Sequence, residues 1–132
     1  MTRIILLGSG GFIGKSLLPK LTVEGFSVKP MIFHNSVNHA DEFCGDILEP
    51  NILDSILDEN DVVVNLIGQY TNSDSDFIGT NIKGSLNLLN SCLKNNVKKI
   101  ILISTINVYG NSLSKSSNEE SELLPQTNYG LI

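Results

Sequence analysis

The 132-residue chain contains no tryptophan, only 6% aromatic residues and only two cysteines. No apolar run approaches the roughly 18 residues of a membrane-spanning helix, and no leader pattern precedes the first strand-like segment. Basic residues form no cluster and the net charge is −5, so neither nucleic acid nor an anionic membrane is expected as the main partner. Cys44 and Cys92 lie far apart, without metal-ligand spacing. They read as free thiols of a reducing compartment, filling small core positions, and no metal is expected. A cytoplasmic location follows from the same features. What remains is an ordinary globular composition, long enough for one domain and one core.

The informative segment comes first. Ile4-Ile5-Leu6-Leu7 runs directly into Gly8-Ser9-Gly10-Gly11-Phe12-Ile13-Gly14. This reads as a strand, a glycine turn and a helix start. Gly8 suits the tight turn, Gly11 leaves room for a ligand at the helix N-terminus, and Gly14 lets the helix pack close. The first N–H groups of that helix would face a pyrophosphate. A rival lies within the same stretch, because Gly14-Lys15-Ser16 resembles the end of a phosphate-binding P-loop. That loop needs a glycine where Ser9 stands, and Asp61-Val62-Val63-Val64 ends in Asn65 where a magnesium-holding aspartate would be needed.

Further along, Ile13, Leu17 and Leu21 recur at helical spacing, with Pro19 inside the helix and Gly25 to close it. Val28 to Phe33 reads as a second strand, where Pro30 predicts a bulge or irregular pairing. A short third strand near Phe43-Cys44 precedes Asp46, and Pro50 to Leu57 suits a short helix. The apolar run Asp61 to Ile67 has the pattern of a strand buried on both faces. A helix follows from about Asp76 to Leu93, started by Ser73 to Asp76, with Ile78, Ile82, Leu86, Leu89 and Leu93 on one face. Lys98 to Ser104 is a fifth strand, and Asn111 to Glu122 a polar surface loop carrying Glu119, Glu120 and Glu122. His34 and His39 read as solvated surface histidines. Five strands alternating with helices predict an α/β fold, a doubly wound parallel sheet in the order 3-2-1-4-5.

Four stretches, in this order, resemble the extended short-chain dehydrogenase/reductase family, the NAD-dependent epimerases and dehydratases of nucleotide sugars. They are the Gly8–Gly14 turn, Asp46 in Gly-Asp-Ile-Leu, the run Asn81-Ile82-Lys83-Gly84-Ser85-Leu86-Asn87-Leu88-Leu89, and Ser104-Thr105-Ile106-Asn107-Val108-Tyr109-Gly110; Pro125 to Tyr129-Gly130 follows. The resemblance covers essentially the whole chain. It implies a Rossmann-like NAD(P)-binding domain over residues 1–132, truncated at its C-terminal side and lacking the substrate lobe.

By position, the resemblance implies a catalytic set of Thr105, Tyr129 and Asn81. Tyr129 would be the acid/base, Thr105 would orient the substrate, and Asn81 would shape the proton-relay region. It implies cofactor contacts from Gly8, Gly11, Phe12, Ile13, Gly14, Asp46, Ile47, Leu66, Ile67 and Gly68, with Asp46 against the adenine. NAD is the expected cofactor, with NADP as the alternative, and a nucleotide sugar the expected substrate. A homodimer is among the assemblies to expect. The family's lysine, four residues after the tyrosine, would fall one position past Ile132. The chain as it stands is therefore expected to be a marginally stable fragment that does not turn over, since an unassisted phenol stays protonated at neutral pH.

Two departures from the family pattern stand out. No Asp or Glu occurs from Gly25 to Ala40, so the acid that would hold the adenosine ribose ~20 residues past the turn is missing. Ile32, Phe33 or His34 occupies that place. Ile106-Asn107 replaces the Asp-Glu of the family's dehydratase branch, which argues against sugar 4,6-dehydration. The alternative function is a non-catalytic dinucleotide-binding, scaffold or assembly module of the same fold.

Overall fold

The structure, a computed structural model, describes residues 2–33, 41–70, 78–110 and 116–131. The expectations for His34, His39 and Ser73 to Asp76, and the first part of the polar loop after Gly110, lie outside these residues. The chain divides after Leu102 into two compact units.

The first unit is a five-stranded parallel sheet in the order β3-β2-β1-β4-β5, as expected from the alternation of strands and helices. Its strands are β1 (Arg3–Leu7), β2 (Ser27–Ile32), β3 (Phe43–Cys44), β4 (Asp61–Asn65) and β5 (Lys99–Leu102). The helices are α1 (Phe12–Val23), α2 (Pro50–Ile56) and α3 (Gly84–Lys94), the last entered through a π-helical turn at Ile78–Lys83. Side-chain alternation along the central strands divides the core in two. Ile5, Leu7, Met31 and Val63 face α2 and α3, packing with Ile47, Leu53, Leu88 and Cys92. Ile4, Leu6, Val28 and Val64 face α1, packing against Leu17, Leu18 and Leu21. Ile13 does not join them and stands about half exposed, because it lies in the first turn, above the sheet's rim.

Pro30 makes no bulge. The register runs unbroken from Arg3↔Ser27 through Leu6↔Pro30 to Leu7↔Met31. In a parallel ladder, successive residues address opposite neighbours. The Met31 carbonyl accepts from Gly8 and Ser9 on the β1 side, so Pro30 turns its ring nitrogen to the other flank. There β3 pairs only with Met31 and Ile32. The missing donor therefore falls where no ladder bond is required.

The apolar face of the helix after β4 is turned outward, against the usual rule that such a stripe faces the core. Ile78, Ile82, Leu86, Leu89 and Leu93 are all exposed, while Asn81, Gly84, Leu88, Ser91 and Cys92 are buried. Close packing explains the inversion. A Cβ on Gly84 would lie 2.7 Å from Ile47 Cγ2, so position 84 on that face takes glycine, and the face with Gly84 and Leu88 is the one that packs inward. Cys44 departs from expectation too. It is exposed, on a two-residue edge strand, and its thiol donates to the Phe33 carbonyl at 3.4 Å. β5 is the opposite edge, and Ile101 and Leu102 are exposed on it.

At the N-terminal ends of the strands, Arg3 and Asp61 are register partners on β1 and β4. The guanidinium forks onto both carboxylate oxygens at 2.9 and 2.8 Å and also donates to the Ile56 carbonyl. Asp58 N–H fills a further lone pair of Asp61. This saturation makes the buried carboxylate tolerable. No helix among the described residues is long and apolar enough to cross a membrane.

Burial pushes the Cys92 thiol up to about 11, and the Asp61 carboxylate adds in the same direction. The folded state therefore favours the neutral thiol. Its contribution to stability is intact below the ordinary thiol range and is lost as pH rises through about 11. Urea unfolding at pH 8 and at pH 11 should show wild type losing roughly 1–3 kcal/mol more than Cys92→Ala across that interval. Equal losses would show that the thiol is not held neutral by the fold.

Candidate functional site: the strand C-termini and the Thr105–Tyr129 turns

The glycine turn is built from backbone. Gly8 takes φ +80, a left-handed conformation that favours glycine. Gly8 N–H and Ser9 N–H both donate to the Met31 carbonyl at 3.1 Å, and the buried Ser9 hydroxyl donates to it at 3.0 Å. The turn after β1 is thus fastened to the end of β2. Gly11 N–H donates to the Gly8 carbonyl at 3.1 Å, and Gly11 becomes the N-cap of α1. A Cβ on Gly14 would sit 2.6 Å from Ser9 Cα and 2.6 Å from Ser9 O, and closer still to Gly8 O. These are backbone atoms that cannot swing aside, so Gly14 is what seats the helix on the turn. No side chain caps α1 among the described residues, which leaves its first N–H groups for a ligand. Gly11, Phe12 and Ile13 are exposed there, Phe12 at 93%.

Beside the turn, at the C-terminal ends of β1, β2 and β4, lies a cavity of about 280 Å³. Gly8, Met31 and Ile32 form its floor and Phe33 one rim. Asp46, Ile47 and Leu48 form one wall, and Ile67, Gly68 and Gln69 another, with Thr80 beside them. Asp46 is half-buried, and its Oδ1 accepts from Leu48 N–H at 2.9 Å. Ile47 is buried against α3. Leu66 N–H extends the ladder to the Leu7 carbonyl, and Ile67 N–H donates to the buried Asn65 Oδ1 at 3.0 Å.

Asn81 is 6% exposed, and both ends of its amide are engaged. Oδ1 accepts from Gln69 N–H and Nδ2 donates to the Gln69 carbonyl, both at 2.8 Å. Thr80 Oγ1 donates to Gln69 Oε1 at 3.0 Å. Asn81 therefore holds the wall after β4, a backbone-fixing position.

The second unit carries Thr105 and Tyr129. Thr105 caps a 3₁₀ turn at Ile106–Tyr109, its Oγ1 accepting from Asn107 N–H at 3.3 Å. A hydroxyl that accepts one hydrogen bond keeps its own proton and one lone pair for a further partner. Tyr129 is half-buried in a second 3₁₀ turn, Asn128–Leu131. The two turns pack together. Leu124 N–H donates to the Val108 carbonyl at 2.9 Å, and a Cβ on Gly130 would sit 2.5 Å from Asn107 O. Glu119, Glu120 and Glu122 are exposed in the segment between them.

In the first unit, then, Gly8, Asp46, Ile47, Ile67 and Gly68 gather around one cavity, with Gly11 to Gly14 on the adjoining turn. Leu66 is half-buried and packs toward α1, so it supports this site without lining it. Sequence reasoning missed Ser9, Asn65, Gln69, Thr80 and Asn87. Each acts through side-chain hydrogen bonds to backbone groups or a neighbouring side chain, Asn65 within its own turn and the others farther along the chain, and only the serine and asparagine next to strand ends hinted at this. No carboxylate stands at the end of β2 among the described residues; Phe33 is there instead.

A dinucleotide suits this arrangement. The cradle at Gly8, Gly11 and Gly14 is one that a Cβ would fill, and the cavity continues from Gly8 between two walls fixed by hydrogen bonds. Gly11→Val and Gly14→Ala should separate its two functions. Gly14→Ala should lose roughly 1–3 kcal/mol in urea unfolding through overpacking. Gly11 is exposed and meets only Gly8 O, at 3.3 Å. Gly11→Val should therefore stay within about 1 kcal/mol of wild type yet lose NAD affinity by calorimetry. Wild-type affinity in Gly11→Val would refute this placement of the pyrophosphate.

Comparison with known proteins follows the same lines. The sequence model of the NAD dependent epimerase/dehydratase family matches residues 4–131. An N-acetyl-alpha-D-glucosaminyl-diphospho-ditrans,octacis-undecaprenol 4-epimerase of Escherichia coli O157:H7 is 30% identical over 90% of this chain and 36% of its own length. A dTDP-D-glucose 4,6-dehydratase of Dictyostelium discoideum is 29% identical over 96% of this chain and 37% of its own. The solved UDP-N-acetylglucosamine 4-epimerase from Bacillus cereus superposes with a TM-score of 0.83 at 26% identity, covering 99% of this chain and 50% of that one. The chain thus spans between about a third and a half of the length of these proteins. With its glycine turn, Asp46 wall and Thr105 and Tyr129 turns inside the matched residues, the chain belongs to the NAD dependent epimerase/dehydratase family.

Proposed function

We propose that this chain is the NAD-binding portion of an enzyme that epimerises, reduces or oxidises the sugar of a nucleotide-linked substrate. The carrying observation is that the Thr105 and Tyr129 turns pack on each other in one unit, joined by the Val108–Leu124 bond and the Gly130–Asn107 contact. The similar proteins bear nucleotide-sugar and lipid-linked-sugar names, which supports the substrate class. Residues 1–132 then constitute an incomplete domain, with the substrate lobe supplied by further chain.

In this reading the α1 N-terminus holds the pyrophosphate and the Asp46–Leu48 wall holds the adenine. NAD, when bound, supplies hydride acceptance and return. Tyr129 moves the proton at the sugar hydroxyl, and Thr105 donates a hydrogen bond that orients the same group. Asn81 acts through Gln69. A phenol needs a neighbouring cation to serve as a base near neutral pH; the family's lysine four residues after the tyrosine is the group proposed to supply it.

Ile106 and Asn107 do not titrate. This disfavours 4,6-dehydration although one similar protein carries a dehydratase name. The exposed stripe of Ile78, Ile82, Leu86, Leu89 and Leu93 supports a homodimer, and the free thiols Cys44 and Cys92 support a reducing, cytoplasmic setting.

The test is kinetic, on the longer protein with nucleotide sugars. Tyr129→Phe should lower kcat by about 10²–10⁴, and Thr105→Val by about 10–10², each with NAD affinity within twofold of wild type. Unchanged turnover in both variants would overturn the roles given to Tyr129 and Thr105, and no turnover of any nucleotide sugar by the wild-type longer protein would favour the non-catalytic module of the same fold.

A further inference from the structure

Asn87 lies on α3, two turns from Asn81, and takes no part in the roles above. It is half-buried, and its Nδ2 donates to two successive carbonyls, Ile47 O and Leu48 O, at 3.2 Å each. A side-chain amide has two N–H donors, enough for both carbonyls. It fixes the planes of two peptides on the opposite cavity wall, 40 and 39 residues away in sequence. One turn earlier, Gly84 gives way to the Ile47 side chain, which seats the same wall on the helix.

The consequence runs onward. The Leu48 N–H, whose orientation follows from these peptides, is the donor that holds Asp46 Oδ1 at 2.9 Å. Glu49 N–H closes the same turn on the Asp46 carbonyl at 3.0 Å. Asp46 Oδ2 receives no hydrogen bond among the described residues and belongs to a residue lining the cavity.

We infer that Asn87 is a positioning residue for the cofactor. It sets the Asp46 carboxylate through the Ile47–Leu48 peptides, while Asn81 sets the facing wall through Gln69. The helix after β4 is thereby the spacer that holds both walls of the cavity, which accounts for the polar and small residues on its buried face. The inference rests on the reading of the cavity as the NAD site.

The test is a double-mutant cycle on NAD affinity combined with amide hydrogen exchange of the free protein. Asn87→Ala should weaken NAD binding roughly threefold to tenfold, the size of a lost hydrogen bond. In an Asp46→Ala background the same change should weaken it less than about twofold, because the groups act in series. Without NAD, Leu48 N–H should exchange faster in Asn87→Ala than in wild type. Asn87→Ser, which keeps one donor, should fall between the two and carries the cycle if the alanine variant does not fold. Equal affinity losses in both backgrounds, or an unchanged Leu48 exchange rate, would overturn the inference. A wild type that fails to bind NAD would overturn it through the cofactor reading, and the exchange rates, measured without NAD, distinguish that failure from failure of the Asn87 linkage.

Discussion

Helix α1 can approach the end of β1 because position 14 has no side chain. A Cβ there would press into the backbone of Gly8 and Ser9, and any larger residue would lift the helix off the turn. The rest of the site depends on that approach. With α1 seated, its unpaired N–H groups stand at the strand C-termini, where a helix end favours negative charge. With Gly8 at positive φ, the chain can reverse within the turn and still deliver two N–H groups to Met31. The turn is thus fixed to β1, to β2 and to its own helix before any ligand arrives, which removes most of the ordering cost of binding.

The second constraint is polar. The cavity walls are loops, and loops hold a shape only if their backbone groups find partners. Asn65, Asn81 and Asn87 supply them, Asn65 to an amide two residues on, and Asn81 and Asn87 to peptides 12 and 40 residues away in sequence. That use of the buried face explains why the apolar residues of the helix after β4 point outward. Isolated exposed ion pairs add little beside this; Lys94 to Asp54, between α3 and α2, is one.

Much of the fold was legible from local pattern. Continuous apolar runs marked β1 and β4 because both faces of a parallel sheet are covered, and Pro50 and Gly25 marked helix ends by their own stereochemistry. The glycine turn was legible for the same reason, since only glycine satisfies its geometry. The misreadings came where a distant partner decides. Pro30 looked like a sheet defect, but the length of β3 makes it harmless. The Ile78-to-Leu93 stripe reads as a core face until Ile47 is seen occupying the other side. Cys44 looked like a core residue, but β3 is too short to bury it. Ser9, Gln69 and Asn87 were silent because their function is a hydrogen bond across the fold, which neither periodicity nor composition records.

The central claim is that the α1 N-terminus and the Asp46–Leu48 wall form one dinucleotide site. The direct measurement is an NAD titration of the isotope-labelled chain followed by amide chemical shifts. The account predicts the largest changes at Gly11 to Gly14 and at Asp46 to Leu48, saturating together with one affinity. Shifts confined to other parts of the sheet, or two groups saturating at different NAD concentrations, would contradict it.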